Sequence, residues 1–180
     1  MNREELISIL RGIDEEASLL LGCLKYTPQV VIVGGAAFLL RDLTARSATH
    51  DIDVLNADSA IREIISGYPQ INGGVAAYMD QIPYNFEDRL VPLEIGTTTI
   101  RFVTPSVEDL IVMKLYAERP NDLQDIHSAA QKGSVDWTLL EHLVYGDDEA
   151  KASTNIKRRY NEMVGAFERF KKEWKNESDI

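Results

Sequence analysis

The stretch that most restricts the fold is Gln29-Val30-Val31-Ile32-Val33, followed at once by Gly34-Gly35. A short, β-branched, continuously apolar run of this kind reads as a strand buried in the middle of a sheet. Thr27-Pro28 ends whatever precedes it, and Ala36 to Leu43 reads as a helix. The double glycine therefore turns the chain from a buried strand directly into a helix. Two readings of it stand side by side. Missing side chains let backbone N–H groups approach a phosphate at a helix end that favours negative charge, or the pair serves tight-turn geometry alone. The spacing of a dinucleotide fingerprint is missing, because Ala36, Ala37 and Phe38 follow.

After a polar loop, Ala45 to His50, comes Asp51-Ile52-Asp53-Val54-Leu55, a second strand with alternating carboxylates. Acids two apart on a strand point to one face while Ile52 points to the opposite layer. Two unpaired carboxylates side by side raise each other's pKa, and a divalent cation or a proton relieves them. Mg²⁺ prefers hard oxygen ligands of this type. The bland alternatives are a pair at a strand edge in water, or one acid capping a nearby turn.

The remaining elements follow from periodicity. Leu6, Ile9, Leu10, Ile13, Ala17, Leu20, Leu21 and Leu24 form one apolar stripe on a helix over 2–24. Asp58 or Ser59 caps a helix running to Ser66; Gly67-Tyr68-Pro69 and Asn72-Gly73-Gly74 mark turns before a strand at Val75 to Asp80. Leu90 to Ile95 and Thr98 to Val103 flank Gly96-Thr97 as a hairpin, and Ser106 or Thr104 caps the helix that follows. Helical spacing then continues over Val107 to Glu118, Leu123 to Gln131, Asp136 to Tyr145 and Ala152 to Lys175. Strands that precede the main helical run predict an α/β (α+β) fold with a helical carboxy-terminal half. The expected division is a packing helix over 1–26, a core over 27–133 and a helical region over 134–180.

A chain of 180 residues with 44% hydrophobic content buries a real core. No apolar run approaches the roughly 20 residues that span a bilayer, and the acidic, amphipathic start is unlike a signal sequence, so a cytoplasmic protein with no membrane partner is expected. The lone Cys23, in an apolar run, reads as a buried structural thiol. A net charge of -10 opposes strong duplex DNA binding. Between Lys157 and Lys175, however, seven Lys or Arg meet three Glu, which suits either a solvated helix face laced with ion pairs or a face for RNA or a protein partner.

Val33-Gly34-Gly35-Ala36-Ala37, followed after a helix by Ala48-Thr49-His50-Asp51-Ile52-Asp53-Val54-Leu55, resembles the opening motif of the DNA polymerase β-like nucleotidyltransferases, with the nearest likeness in the prokaryotic branch that contains the AbiEii-type toxins of toxin-antitoxin systems. Thr104-Pro105-Ser106-Val107-Glu108-Asp109-Leu110, Lys114-Leu115 and Arg119-Pro120-Asn121-Asp122-Leu123-Gln124-Asp125-Ile126 look like that branch's later helices. The likeness covers roughly Val30 to Ala130. It departs from the wider motif at Gly35, where a serine is usual, and in the fifteen residues between Gly35 and Asp51.

The resemblance implies a mixed sheet flanked by helices, and a reaction in which two magnesium ions, held by three acids, assist attack on the α-phosphorus of a nucleoside triphosphate. Asp51 and Asp53 match the first two acids. Asp80, late in its expected strand, is favoured as the third, with Glu94 as the rival. Gly34 and Gly35 would line the phosphates, and Lys114 would reach the triphosphate as a point charge instead of merely pairing with Glu118. Arg46, on the loop with Ser47, would neutralise leaving pyrophosphate. Arg119, Asp122 and Asp125 cluster at a helix start, where Asp122 is expected to cap and Asp125 to orient Lys114 or Arg119. His50, directly before the acid pair, is a further candidate or a plain loop residue. The expected activity is nucleotide transfer to an acceptor hydroxyl on an RNA end, such as tRNA, or on a protein, as the toxin of a toxin-antitoxin pair with an antitoxin partner. A noncatalytic binding or regulatory member and a small-molecule, antibiotic-modifying transferase are the alternatives.

Overall fold

In the computed structural model, which describes residues 1–22, 25–146, 148, 151 and 154–178, the apolar run that opened the sequence reading is strand β1, Gln29–Val33, and it lies at the centre of a five-stranded mixed sheet. Four of its five residues are buried, as a strand covered on both faces requires. The other strands are β2 (Ile52–Ala57), β3 (Ile71–Asn72), β4 (Val91–Pro92) and β5 (Arg101–Thr104), in the spatial order β3-β2-β1-β5-β4. β1 runs antiparallel to β2 and parallel to β5; β3 is parallel to β2, and β4 antiparallel to β5. A register shift near Val31 and Ile32 leaves Leu55 as an extra residue of β2, so that Val33 faces Asp53.

Helix α1 (Arg3–Leu21) begins with a reciprocal cap between Asn2 and Glu5 and buries Leu6, Leu10, Ile13 and Ala17. It packs on α2 (Gly34–Leu40) and α3 (Ser59–Ser66). Asp58 is the cap position of α3, yet its carboxylate accepts the N–H of Gln29 at 2.7 Å instead of a helix amide. Four further helices, α4 (Val107–Ala117), α5 (Pro120–Gln131), α6 (Trp137–Tyr145) and α7 (Thr154–Ser178), form the helical carboxy-terminal half. Ser106 caps α4 by accepting the N–H of Asp109 at 3.1 Å. Between α5, α6 and α7, the rings of Trp137, Phe170 and Trp174 stack, with His127 edge-on. One apolar core runs from Leu6 of α1 through the sheet to Phe170 of α7.

Two local expectations are corrected. The stretch Val75 to Asp80 is not a strand; Gly74–Gln81 forms a 3-10 helix, kinked at Tyr78, that packs on β2. Ile71 and Asn72 pair with Ile52 and Asp53 at the outer edge of β2, and the chain leaves the sheet at Gly73 to form the 3-10 helix. The hairpin is also shorter than its pattern, with only Val91 and Pro92 in register against Thr104 and Val103. Its second half sends backbone N–H groups elsewhere: those of Thr98, Thr99 and Ile100 go to the buried carboxylate of Asp14 on α1, at 2.9, 2.9 and 2.6 Å. Cys23 lies outside the described residues, as do the side chains of Lys157 and Arg158 in the basic stretch. Among the described residues, no helix is long and apolar enough to cross a membrane.

Candidate active site

Asp51 and Asp53 stand at the start of β2, both partly exposed, with the fully buried Ile52 between them on the core side. The alternation read from the sequence therefore holds. The antiparallel register brings Asp53 to the end of β1 and thus to the glycine turn. The contact is intimate: a Cβ built on Gly34 would stand 2.1 Å from Asp53 Oδ2. Gly34 also has φ +66, a left-handed conformation that L side chains rarely adopt. On the next residue, a Cβ at Gly35 would meet Arg46 Nη2 at 2.7 Å and Thr49 Oγ1 at 2.9 Å. The double glycine thus makes room for the protein's own carboxylate on one residue and its own guanidinium on the next.

The other oxygen of Asp53, Oδ1, accepts a hydrogen bond from Asn72 Nδ2 at 2.9 Å. Burial, and then the charge of Asp51, push the Asp53 carboxyl above the ordinary carboxylate value, while the Asn72 bond and the nearby Arg119 and Lys114 pull the other way. Asp51 has no side-chain hydrogen bond or ion pair among the described residues.

Behind the pair lies a compact charge network between α4, α5 and the loop after α2. Lys114, only 6% exposed, places Nζ 2.8 Å from both Asp122 and Asp125 and over the ring of Phe38. Asp125 is fully buried, accepts both Arg46 Nε and Nη2, at 2.8 and 2.7 Å, and also accepts the hydroxyl of Thr44 at 2.5 Å. It therefore orients Lys114, as expected, but its second cation is Arg46 and not Arg119. Asp122 does not cap α5 with its side chain; its oxygens go to Lys114 and to Arg119 Nε at 2.6 Å. Burial pushes Asp122 up, but the hydrogen bond from Arg119 and the charge of Lys114 outweigh it and hold the carboxyl below its ordinary value. The side chain of Arg119 is 74% exposed, so this guanidinium, unlike Lys114 and Arg46, has donors facing solvent while its charge still acts on Asp53.

Asp80 sits on the 3-10 helix with an exposed side chain, and Glu94 is exposed between β4 and β5. Among the described residues, no three His, Cys, Asp or Glu side chains come together as a cation site, so neither acid joins Asp51 and Asp53 in such a group. His50 and Ser47 are exposed loop residues. Asn72 and Thr44 are the site residues that sequence reasoning missed. Asn72 reads as an ordinary turn former before Gly73-Gly74, and the partner of Thr44 is 81 residues away.

A mixed sheet with a glycine turn at the end of its central strand, an Asp-x-Asp pair on the adjacent strand and basic side chains from the following helices defines a protein of the nucleotidyltransferase class. The family described as "nucleotidyltransferase of unknown function (DUF6036)" matches residues 8–175, and the chain belongs to that family. No match was found among curated proteins or among solved structures.

Proposed function

We propose that the protein is a magnesium-dependent nucleotidyltransferase that moves a nucleotide from a nucleoside triphosphate to an acceptor hydroxyl on an RNA end or a protein, and that it acts as the toxin of a toxin-antitoxin pair of the AbiEii-like kind. The observation that carries the chemical part is the Asp53 carboxylate, held against the Gly34 turn with Asp51 on the same face and the exposed Arg119 nearby. The resemblance of the glycine and Asp-x-Asp segments supports the toxin part.

The pair fits a hard dication. Burial and mutual repulsion disfavour the charged form of Asp53, a cost that a bound cation relieves, and Mg²⁺ is commonly held by one or two carboxylates together with substrate phosphates. Bound there, it would screen the charge that develops on the phosphate oxygens. In the transfer, the acceptor oxygen forms a bond to the α-phosphorus and gives its proton to solvent, while the bond to the bridging oxygen breaks and pyrophosphate leaves with that electron pair. Asp51 and Asp53 would hold the cation, which would supply positive charge to the triphosphate. Arg119 hydrogen-bonds the phosphates from the solvent side, and the Asp125 network holds Arg46 and Lys114 as fixed positive charge behind the turn.

That no three acids converge among the described residues favours a second reading, a nucleotide-binding member without transfer. One assay separates the two: each labelled nucleoside triphosphate is incubated with Mg²⁺, total RNA and cell lysate, using wild type and Asp53→Ala. Label that moves to RNA or protein with wild type and not with the variant supports the transferase; nucleotide binding without transfer supports the second reading. Loss of neither binding nor transfer in the variant removes both.

A further inference from the structure

Asn72 is the last residue of β3, and the parallel pairing of β2 with β3 sets it beside Asp53. Its side chain is held at both ends. Oδ1 accepts the N–H of Gly74 at 3.1 Å, and Nδ2 donates to Asp53 Oδ1 at 2.9 Å. The amide has only one workable orientation, because turning it over would set a carbonyl oxygen against a carboxylate and an NH₂ against an N–H. The turn at Gly73-Gly74 thus aims the amide at the acid. With Oδ2 of Asp53 packed against Gly34, both oxygens of that carboxylate have fixed places.

An amide in this position supplies a donor but no charge. Asp51 and Asp53 are then the acids at the strand end, and no third carboxylate joins them among the described residues. Divalent-cation affinity rises with the number of charged ligands, and a site of two carboxylates relies on other oxygens to complete its shell. We propose that Asn72 is the positioning residue of the acid pair: it fixes Asp53 by its Oδ1, and as a neutral neighbour it makes the pair hold a divalent cation firmly only when nucleotide phosphates contribute. The order of binding is therefore written into β3, with the cation entering together with the triphosphate. This rests on the proposed role of Asp51 and Asp53 as cation ligands.

The test uses the full chain and Mn²⁺ as the probe, titrated calorimetrically into nucleotide-free protein, with nucleotide binding measured separately by equilibrium dialysis of an α,β-methylene triphosphate in excess Mn²⁺. Asn72→Asp is expected to tighten Mn²⁺ binding to the nucleotide-free protein by about tenfold or more. Asn72→Ala is expected to leave nucleotide-free Mn²⁺ binding as weak as in wild type and to weaken nucleotide binding in Mn²⁺ by about tenfold, since Asp53 loses its orienting donor. The Asn72→Asp result reports the neutral neighbour, and the loss of nucleotide binding in Asn72→Ala reports the positioning of Asp53. Wild type that binds Mn²⁺ without nucleotide as tightly as a folded Asn72→Asp overturns the inference. If the aspartate variant fails to fold, Asn72→Ala decides, and wild-type nucleotide affinity in that variant overturns it too. Asp53→Ala is the control: if it binds the nucleotide in Mn²⁺ as wild type does, the reading of the acid pair itself has failed, an outcome distinct from failure at Asn72 alone.

Discussion

Oδ2 of Asp53 occupies the space that a β-carbon on Gly34 would need, 2.1 Å from its ideal position. The glycine and the acid are therefore one device: the turn is glycine because the carboxylate sits on it. Gly34→Ala adds a methyl group against Asp53 at a backbone angle of φ +66, and it is expected to cost about 1–3 kcal/mol of stability and to abolish Mn²⁺-dependent nucleotide binding. Gly35→Ala meets Arg46 Nη2 and Thr49 Oγ1, at 2.7 and 2.9 Å, and strains the Arg46–Asp125 pair, but Gly35 has no positive φ to add backbone strain, so its loss in urea unfolding is smaller. Equal losses for the two variants would show that close approach of Asp53 is not what requires glycine.

Asp53 also gives the fold a pH signature. Burial first, and the charge of Asp51 second, raise its carboxyl above the ordinary value, so the folded chain holds this proton more tightly than the unfolded one. Stability from this group is fully present in acid, below the ordinary carboxylate pKa of about 4, and declines as the pH rises through the folded value. Asp53→Asn is therefore expected to melt at a higher temperature than wild type at pH 7, with the gap closing on acidification. Melting curves across that range check it, and a gap that widens in acid contradicts it.

The network around Asp125 behaves oppositely to an exposed ion pair. Asp125 is fully buried and serves Thr44, Arg46 and Lys114; removing it leaves Arg46 without its counter-charge and Lys114 with Asp122 alone. Asp125→Ala is expected to cost about 3–5 kcal/mol in urea unfolding. The loop that carries Arg46 should loosen at the same time, which faster amide exchange over 44–49 would report.

Arg119 separates stability from function. Its pair with Asp122 is short, at 2.6 Å, but its side chain is 74% exposed, so Arg119→Ala should change stability by less than about 1 kcal/mol. Its charge acts on Asp53, and the proposed phosphates lie within reach of this exposed guanidinium. Nucleotide affinity is expected to fall by about tenfold, the loss of one hydrogen bond to a charged group. Unchanged affinity would move the phosphates away from this side of the site.

What the sequence made legible follows the range of the forces involved. β1 and the start of α4 were readable because a β-branched run and a serine cap act within a few residues. The facing of Asp51 and Asp53 was readable from strand alternation alone. The Arg46–Asp125 pair spans 79 residues, and nothing local announces it. The apolar content of Val75 to Asp80 suits a strand, whereas the chain leaves the sheet after Asn72 and forms a 3-10 helix against β2. Asn72 was hidden by its neighbours, since an asparagine before two glycines looks like any turn.

Asp14 shows the same long reach on the opposite side of the fold, and it separates framework from chemistry. One carboxylate on α1 accepts the backbone N–H groups of Thr98, Thr99 and Ile100, which are 84 to 86 residues away. These donors precede β5, which pairs with β1, so Asp14 clamps α1 to the sheet from the side away from the acid pair. Asp14→Ala strands three donors, that of Ile100 in a buried place, and is expected to cost about 1–3 kcal/mol. Asp14→Asn keeps one acceptor oxygen and should cost less. Amide exchange at 98–100 should quicken in both, in the same order, while Mn²⁺-dependent nucleotide affinity stays at the wild-type level below the melting temperature. A loss of nucleotide binding as large as that expected of Gly34→Ala would mean that the clamp and the acid pair are coupled through β1, and that the two ends of the sheet do not act independently.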